Sequence, residues 1–291
     1  MHILECIEEW KSHRFLIGDS ENSIYTQGKY AVKFAEGLTA SIQKSVSKIK
    51  VEHIMQFVNA FDDKSRNTKM QKLASLKGLL AFGLASGYIL HNPASVVKVN
   101  SKRLKHKQRE GRERIPFTRA EFDEIIPIAP YFYRQAAGIS WFTGLRLGDI
   151  CRLEWDSLIR DSKGHFQQII VWTDKRDKRV MLPISDPFIG GGQLRMFLNE
   201  IKMPEGHPHK SGYCFPEQKA DIENPKARSK ISAYFTRIVR KAGIEGKSFH
   251  CLRHSFVSRL AREGRSLKEI GKLVGHSNTE TTEGYAHHGV Q

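Results

Sequence analysis

Between Lys98 and Arg114 the chain carries eight basic and two acidic residues, with no apolar periodicity. Such a stretch has no face to bury, so it connects structured pieces rather than forming one. The 291 residues therefore read as two domains joined by a basic linker, 98–114. Basic side chains number 47 against 31 acidic ones, a net charge of +16. Residues 1–110 hold 18 basic and 10 acidic side chains and the remainder 29 and 21, so each part carries +8. A polyanionic partner that touches both parts is expected.

Apolar residues make up 40% of the chain, enough for packed cores. Cys6, Cys151, Cys214 and Cys251 show no CxxC spacing and no histidines at zinc-ligand intervals. They read as reduced thiols, not as a metal site or a disulfide framework. The opening MHILECIEEWKSHRF places acids where a secretory signal has a basic start and an apolar run. No stretch approaches the roughly 20 apolar residues of a membrane span. A cytoplasmic, nucleoid-associated protein with no membrane partner is expected. There is no GxxxxGK phosphate loop and no internal repeat, so nothing requires ATP.

Residues 3–16 read as a short helix with Ile3, Leu4, Ile7 and Trp10 on one side, within a separate N-terminal helix or extension, 1–17. A helical domain follows over 18–97. Its first helix is expected after Ser23 as cap; another centres on Ile54 and Val58, and a longer one carries Met70, Leu73, Leu76, Leu80 and Leu84. Lys44, Lys48, Lys69 and Lys72 form either a solvated face or phosphate contacts. Lys102, Arg103, Lys105 and Lys107 of the linker are phosphate-contact candidates of the same kind.

The domain over 115–291 opens with a capping box, Thr118 and Glu121, and a largely buried helix over Tyr131–Phe142. In TGLRLGD, Gly144 and Gly148 flank Arg146 and are expected to allow a tight turn there. Arg146 is either a structural residue or, in so apolar a stretch, a partner for an anion. HFQQIIVWTDKRDKRVMLPIS reads as a small antiparallel hairpin or sheet edge with Lys175 near its tip. Residues 186–224 hold many Gly and Pro and are expected to wander, before helices resume through SKISAYFTRIVRKAG. His250 and Arg253 lie three apart in HCLRHSF, on one face of a helix, where both reach the same anion. Arg offers a rigid fork of N–H donors, and imidazole moves a proton near neutral pH. His276 and Tyr285 stand nine apart in LVGHSNTETTEGYAHH.

These pieces resemble the tyrosine recombinase, or phage-type integrase, family. The pieces are TGLRLGD with Arg146, TDKRDKRVMLP with Lys175, HCLRHSF with His250 and Arg253, LVGHS with His276, and GYAHH with Tyr285. The resemblance fills all six of the family's catalytic positions in order. Asp149 stands where the family usually has Glu and supports a neighbouring basic group. The fold it implies is multidomain and mainly α: an N-terminal helical core-binding domain, then a mixed α/β catalytic domain of largely helical content with a small antiparallel sheet. Tyr285 would be the nucleophile that forms a 3′-phosphotyrosyl link, with no metal, ATP or other cofactor. Double-stranded DNA bearing paired inverted half-sites is the implied partner, bound by a tetramer on two duplexes, with room for an accessory DNA-bending protein. Only six residues follow Tyr285, fewer than many relatives use to dock on a neighbouring protomer. The rival readings are a type IB-like topoisomerase, a telomere resolvase and a DNA-binding protein without catalysis.

Overall fold

In the computed structural model the chain forms two compact units, 1–113 and 114–291. The structure describes residues 1–60, 66–99, 115–173, 178–186, 191–202 and 212–275. The described residues are mainly helical, with one three-stranded antiparallel sheet, as the fold class expects.

The first unit contains α1 (Ile3–Leu16), α2 (Glu21–Glu36), α3 (Ala40–Gln43), α4 (Val51–Asn59) and α5 (Arg66–Ala85). A reciprocal cap starts α1: His2 Nδ1 accepts from the Leu4 N–H at 3.2 Å, and the His2 N–H donates to Glu5 at 3.1 Å. Ile3, Cys6, Ile7 and Trp10 of α1 are buried in the same core as Phe34 of α2 and Leu76, Leu79 and Leu80 of α5. Leu4 faces outward instead, at 43% exposure. The cap of α2 is Ser20, whose Oγ accepts from the Ser23 N–H; Ser23 itself lies inside the helix. In α5, Met70 and Leu84 are exposed, because the buried stripe turns through Leu73, Leu76, Leu79 and Leu80.

The second unit contains α6 (Arg119–Ile128), α7 (Tyr131–Thr143), α8 (Leu147–Cys151), β1 (Leu158–Arg160), β2 (Phe166–Thr173) and β3 (Lys178–Pro183). It continues with α9 (Gly191–Asn199), α10 (Pro216–Glu223), α11 (Arg228–Lys241), α12 (Phe249–Arg262) and α13 (Leu267–Leu273). The Thr118–Glu121 box opens α6. Helix α7 is buried from Gln135 to Thr143, which suits its small and apolar residues on every side, and it packs on α12 and α9. The strands pair in the order β1-β2-β3, with Ile169, Val171, Val180 and Leu182 turned to the core. Among the described residues of 186–224, two helices form where the sequence reads as wandering chain. Leu194 and Leu198 are buried four apart in α9, and Ile222 anchors α10.

The start of this unit is tied to α12. The Phe117 N–H donates to Ser255 Oγ at 2.7 Å, and Lys247 Nζ donates to the Glu121 carboxylate at 2.6 Å. Burial works to raise the Glu121 pKa, but Lys247 and the Thr118 donors prevail and hold it below the usual carboxylate value.

Candidate active site

The site is built where α7 ends. Gly144 caps that helix with φ 69°, a left-handed turn that glycine adopts without strain. A Cβ there would stand 2.6 Å from Phe256 Cδ1, so the turn also needs the missing side chain. Gly148, by contrast, lies inside α8, and Gly144 alone makes the turn.

Two residues past the turn, Arg146 caps α8. Its side chain is 26% exposed, and Nη1 lies 3.9 Å from Asp149 Oδ2. Asp149 is 4% exposed. Burial raises its pKa, while Arg146, Arg253 and Arg152, together with a bond from the Arg146 backbone N–H, pull the other way. The folded state therefore holds the Asp149 proton to higher pH than the unfolded chain. Between those two values stability falls as pH rises, because the unfolded chain ionises first. An Asp149→Asn variant is expected to gain stability relative to the parent as pH rises from 3 to 7, measured by urea denaturation across that range. Adduct formation on DNA should slow on the order of tenfold, the loss that about 1.4 kcal/mol of positioning represents.

Arg253 is 1% exposed and belongs to the centre of α12. Nη1 donates to the Gly144 carbonyl at 2.7 Å, and Nη2 donates to the Val274 carbonyl. Gly144 precedes Arg146 by two residues and Val274 precedes His276 by two, so one guanidinium joins both segments. A buried cation bound this way fixes backbone as firmly as it would fix a ligand. His250, half-buried, sits one turn earlier on α12, with the His254 ring 5.0 Å away at 76°. No motif assigns His254 a role, although its i,i+4 spacing from His250 is visible in the sequence.

A second arginine holds the same corner. Arg259 Nη2 donates to the Trp141 carbonyl at 3.3 Å, and its guanidinium lies 5.6 to 5.8 Å from the rings of Trp141, Phe142 and Phe256. Burial lowers its pKa from the usual arginine value. No motif points to it, and its separation of six residues from Arg253 is not a same-face helical spacing.

Lys175, His276 and Tyr285 lie outside the described residues, as do Lys102, Arg103, Lys105 and Lys107. Lys44 and Lys48 are exposed on the first unit. Lys69 and Lys72 correct the sequence reading. They are 6% and 4% exposed, and the Lys72 ammonium lies 5.0 Å from the Phe57 ring centroid, so neither offers its charge to a phosphate in this conformation. Among the described residues no group of His, Cys, Asp and Glu is arranged to hold a metal ion, and no helix is long and apolar enough to cross a membrane. The four cysteines are buried free thiols, and burial pushes Cys151 up to about 12, far from a nucleophile's range.

Residues 118–291 match the model of the phage integrase family. The chain is 23% identical over 308 residues to a tyrosine recombinase of Thermosipho africanus (strain TCF52B), covering 98% of this chain and 94% of the relative. Its fold is similar to that of a lambda integrase (75-356) dimer bound to a COC′ core site. The TM-score is 0.73 with 17% identity, over 98% of this chain and 95% of that one. A lambda integrase tetramer bound to a Holliday junction is also similar, with a TM-score of 0.73 and 17% identity, over 98% of this chain and 77% of that one.

Proposed function

Because the chain belongs to the phage integrase family, we propose that it is a site-specific DNA recombinase that cleaves and rejoins strands through Tyr285. The observation that carries this reading is Arg253, which binds the Gly144 and Val274 carbonyls and so joins the segments leading to Arg146 and His276.

In the proposed reaction the Tyr285 oxygen attacks a DNA phosphate and the bond to the 5′-oxygen breaks. The products are a 3′-phosphotyrosyl enzyme and a free 5′-hydroxyl. The link conserves the phosphodiester's energy, so a different 5′-hydroxyl reverses the step on another strand without ATP. Tyrosine is a weak nucleophile at its ordinary pKa of about 10, and His250 accepts its proton as attack proceeds. Arg146 and Arg253 stabilise charge on the non-bridging oxygens in the pentacoordinate transition state. Arg146 is the more accessible of the two, so it makes the first contact. Lys175 protonates the departing 5′-oxygen. His276 donates to a phosphate oxygen or orders the site, and Asp149 orients Arg146.

The DNA partner carries paired inverted half-sites, and four protomers act on two duplexes. The linker, 98–114, joins a DNA-binding first domain to the catalytic second one. Neutralising Lys102 and Lys105 together should weaken binding and reduce the salt slope by about 2, since each lost phosphate contact removes about 0.9. Titrations at several salt concentrations measure this, and an unchanged slope would remove the linker from the interface.

The reading is tested with two duplexes that share the target site but carry different flanks. A recombinase yields products with exchanged flanks. Relaxation of supercoils without exchange would instead identify a topoisomerase.

A further inference from the structure

On the side of α1 that borders the groove to α2, Leu4, Glu8, Lys11 and Phe15 follow one another at intervals of four, three and four residues. At about 100° per residue they fall within roughly 60° of azimuth, a single stripe beside the buried arc of Ile3, Cys6, Ile7 and Trp10, with Lys11 on the edge nearest α2, where its stem lies over Gly28. A four-three-four interval is the seam spacing of a coiled coil. The two ends of the stripe are apolar and exposed, Leu4 at 43% and Phe15 at 63%. Its centre is an ion pair, Lys11 Nζ to Glu8 Oε1 at 2.6 Å.

The order along the stripe is apolar, acidic, basic, apolar. When two such helices run antiparallel about their midpoint, Leu4 of each lies against Phe15 of the other, and Glu8 of each against Lys11 of the other. Apolar ends meet apolar ends and each charge meets its opposite, twice over, as a twofold interface requires. A parallel pairing would set Glu8 against Glu8 and Lys11 against Lys11. Beside the stripe runs a groove of about 580 Å³ between α1 and α2, lined in part by Phe15, Ile24, Tyr25 and Val32, which gives the incoming side chains room. The helix then ends in Leu16 and Ile17, at 82% and 64% exposure, extending the apolar surface.

We propose that α1 is a dimerisation helix whose Leu4–Glu8–Lys11–Phe15 stripe pairs antiparallel with α1 of a second copy in the absence of DNA. In the dimer the Glu8–Lys11 ion pairs exchange between chains, and the Phe15 rings become covered.

The test uses the full chain without DNA, so its outcome is separate from the chemistry of Tyr285. Sedimentation over a concentration series should show a monomer–dimer equilibrium. Glu8→Lys or Phe15→Asp, both at exposed positions, should weaken it at least tenfold, and adding Lys11→Glu to Glu8→Lys should restore it. Leu4→Cys combined with Phe15→Cys gives a geometric readout. Within one helix the two positions are about 16 Å apart, too far for a disulfide, so oxidation should link only separate chains. Phe15→Cys alone should give no such link. A protein monomeric at every concentration, a dimer indifferent to Phe15→Asp, or efficient linking through Phe15→Cys alone would overturn the proposal.

Discussion

An Arg253→Ala variant is expected to lose about 3–5 kcal/mol of stability and all detectable cleavage. Hydrogen bonds from a charged donor contribute about 1.5–3 kcal/mol each, and here two carbonyls, those of Gly144 and Val274, would be left buried without the guanidinium. The loss falls on the corner from which Arg146 emerges, so catalysis and folding fail together. Arg253→Lys separates them. An ammonium keeps the charge and reaches one carbonyl, recovering part of the stability, but it lacks the planar fork and should remain inactive. Urea denaturation of both variants, beside cleavage assays, measures the two effects. An Arg253→Ala protein as stable as the parent would show that the guanidinium does not hold this corner.

Lys175→Ala is expected to slow cleavage of ordinary DNA by roughly 10² to 10⁴, the range that a positioned general acid supplies. The control is a substrate in which sulfur replaces the 5′ leaving oxygen. A thiolate departs with little protonation, so the same variant should cleave that substrate at close to the parent rate. Rates on both substrates by single-turnover assay check this. Equal loss on the two would remove Lys175 from the proton-donating role.

Much of this architecture was legible in the residues because the signals were local. The Thr118–Glu121 box starts α6 where a hydroxyl and a carboxylate three residues apart satisfy each other's backbone donors. β-branched residues on both sides of the polar TDKRDK marked a hairpin, and β2 and β3 pair antiparallel there. What escaped depends on tertiary packing. Leu4 looked like a core residue by spacing, yet the buried arc of α1 is centred on Ile7 and Cys6, and Leu4 lies beyond its edge. Ser20 and Ser23 are both competent caps, and only the path of the chain into α2 decides between them. Lys69 and Lys72 read as surface charge, while their aliphatic stems provide length that the first unit packs inside. At the site, Arg146, His250 and Arg253 stood out by motif. The anchoring of Arg253 on two carbonyls 130 residues apart in sequence, Gly144 and Val274, is a long-range fact that no local pattern carries.

The central claim is that Tyr285 becomes covalently joined to DNA. The most direct measurement incubates the protein with nicked duplexes tiled from the DNA flanking its gene, whose short cleaved end diffuses away and prevents rejoining. Denatured adducts are then digested and the nucleotide-bearing peptide is sequenced. One such peptide is expected, carrying the nucleotide 3′-phosphate on Tyr285, with no adduct from Tyr285→Phe. An adduct on another residue, or one formed undiminished by Tyr285→Phe, would contradict it.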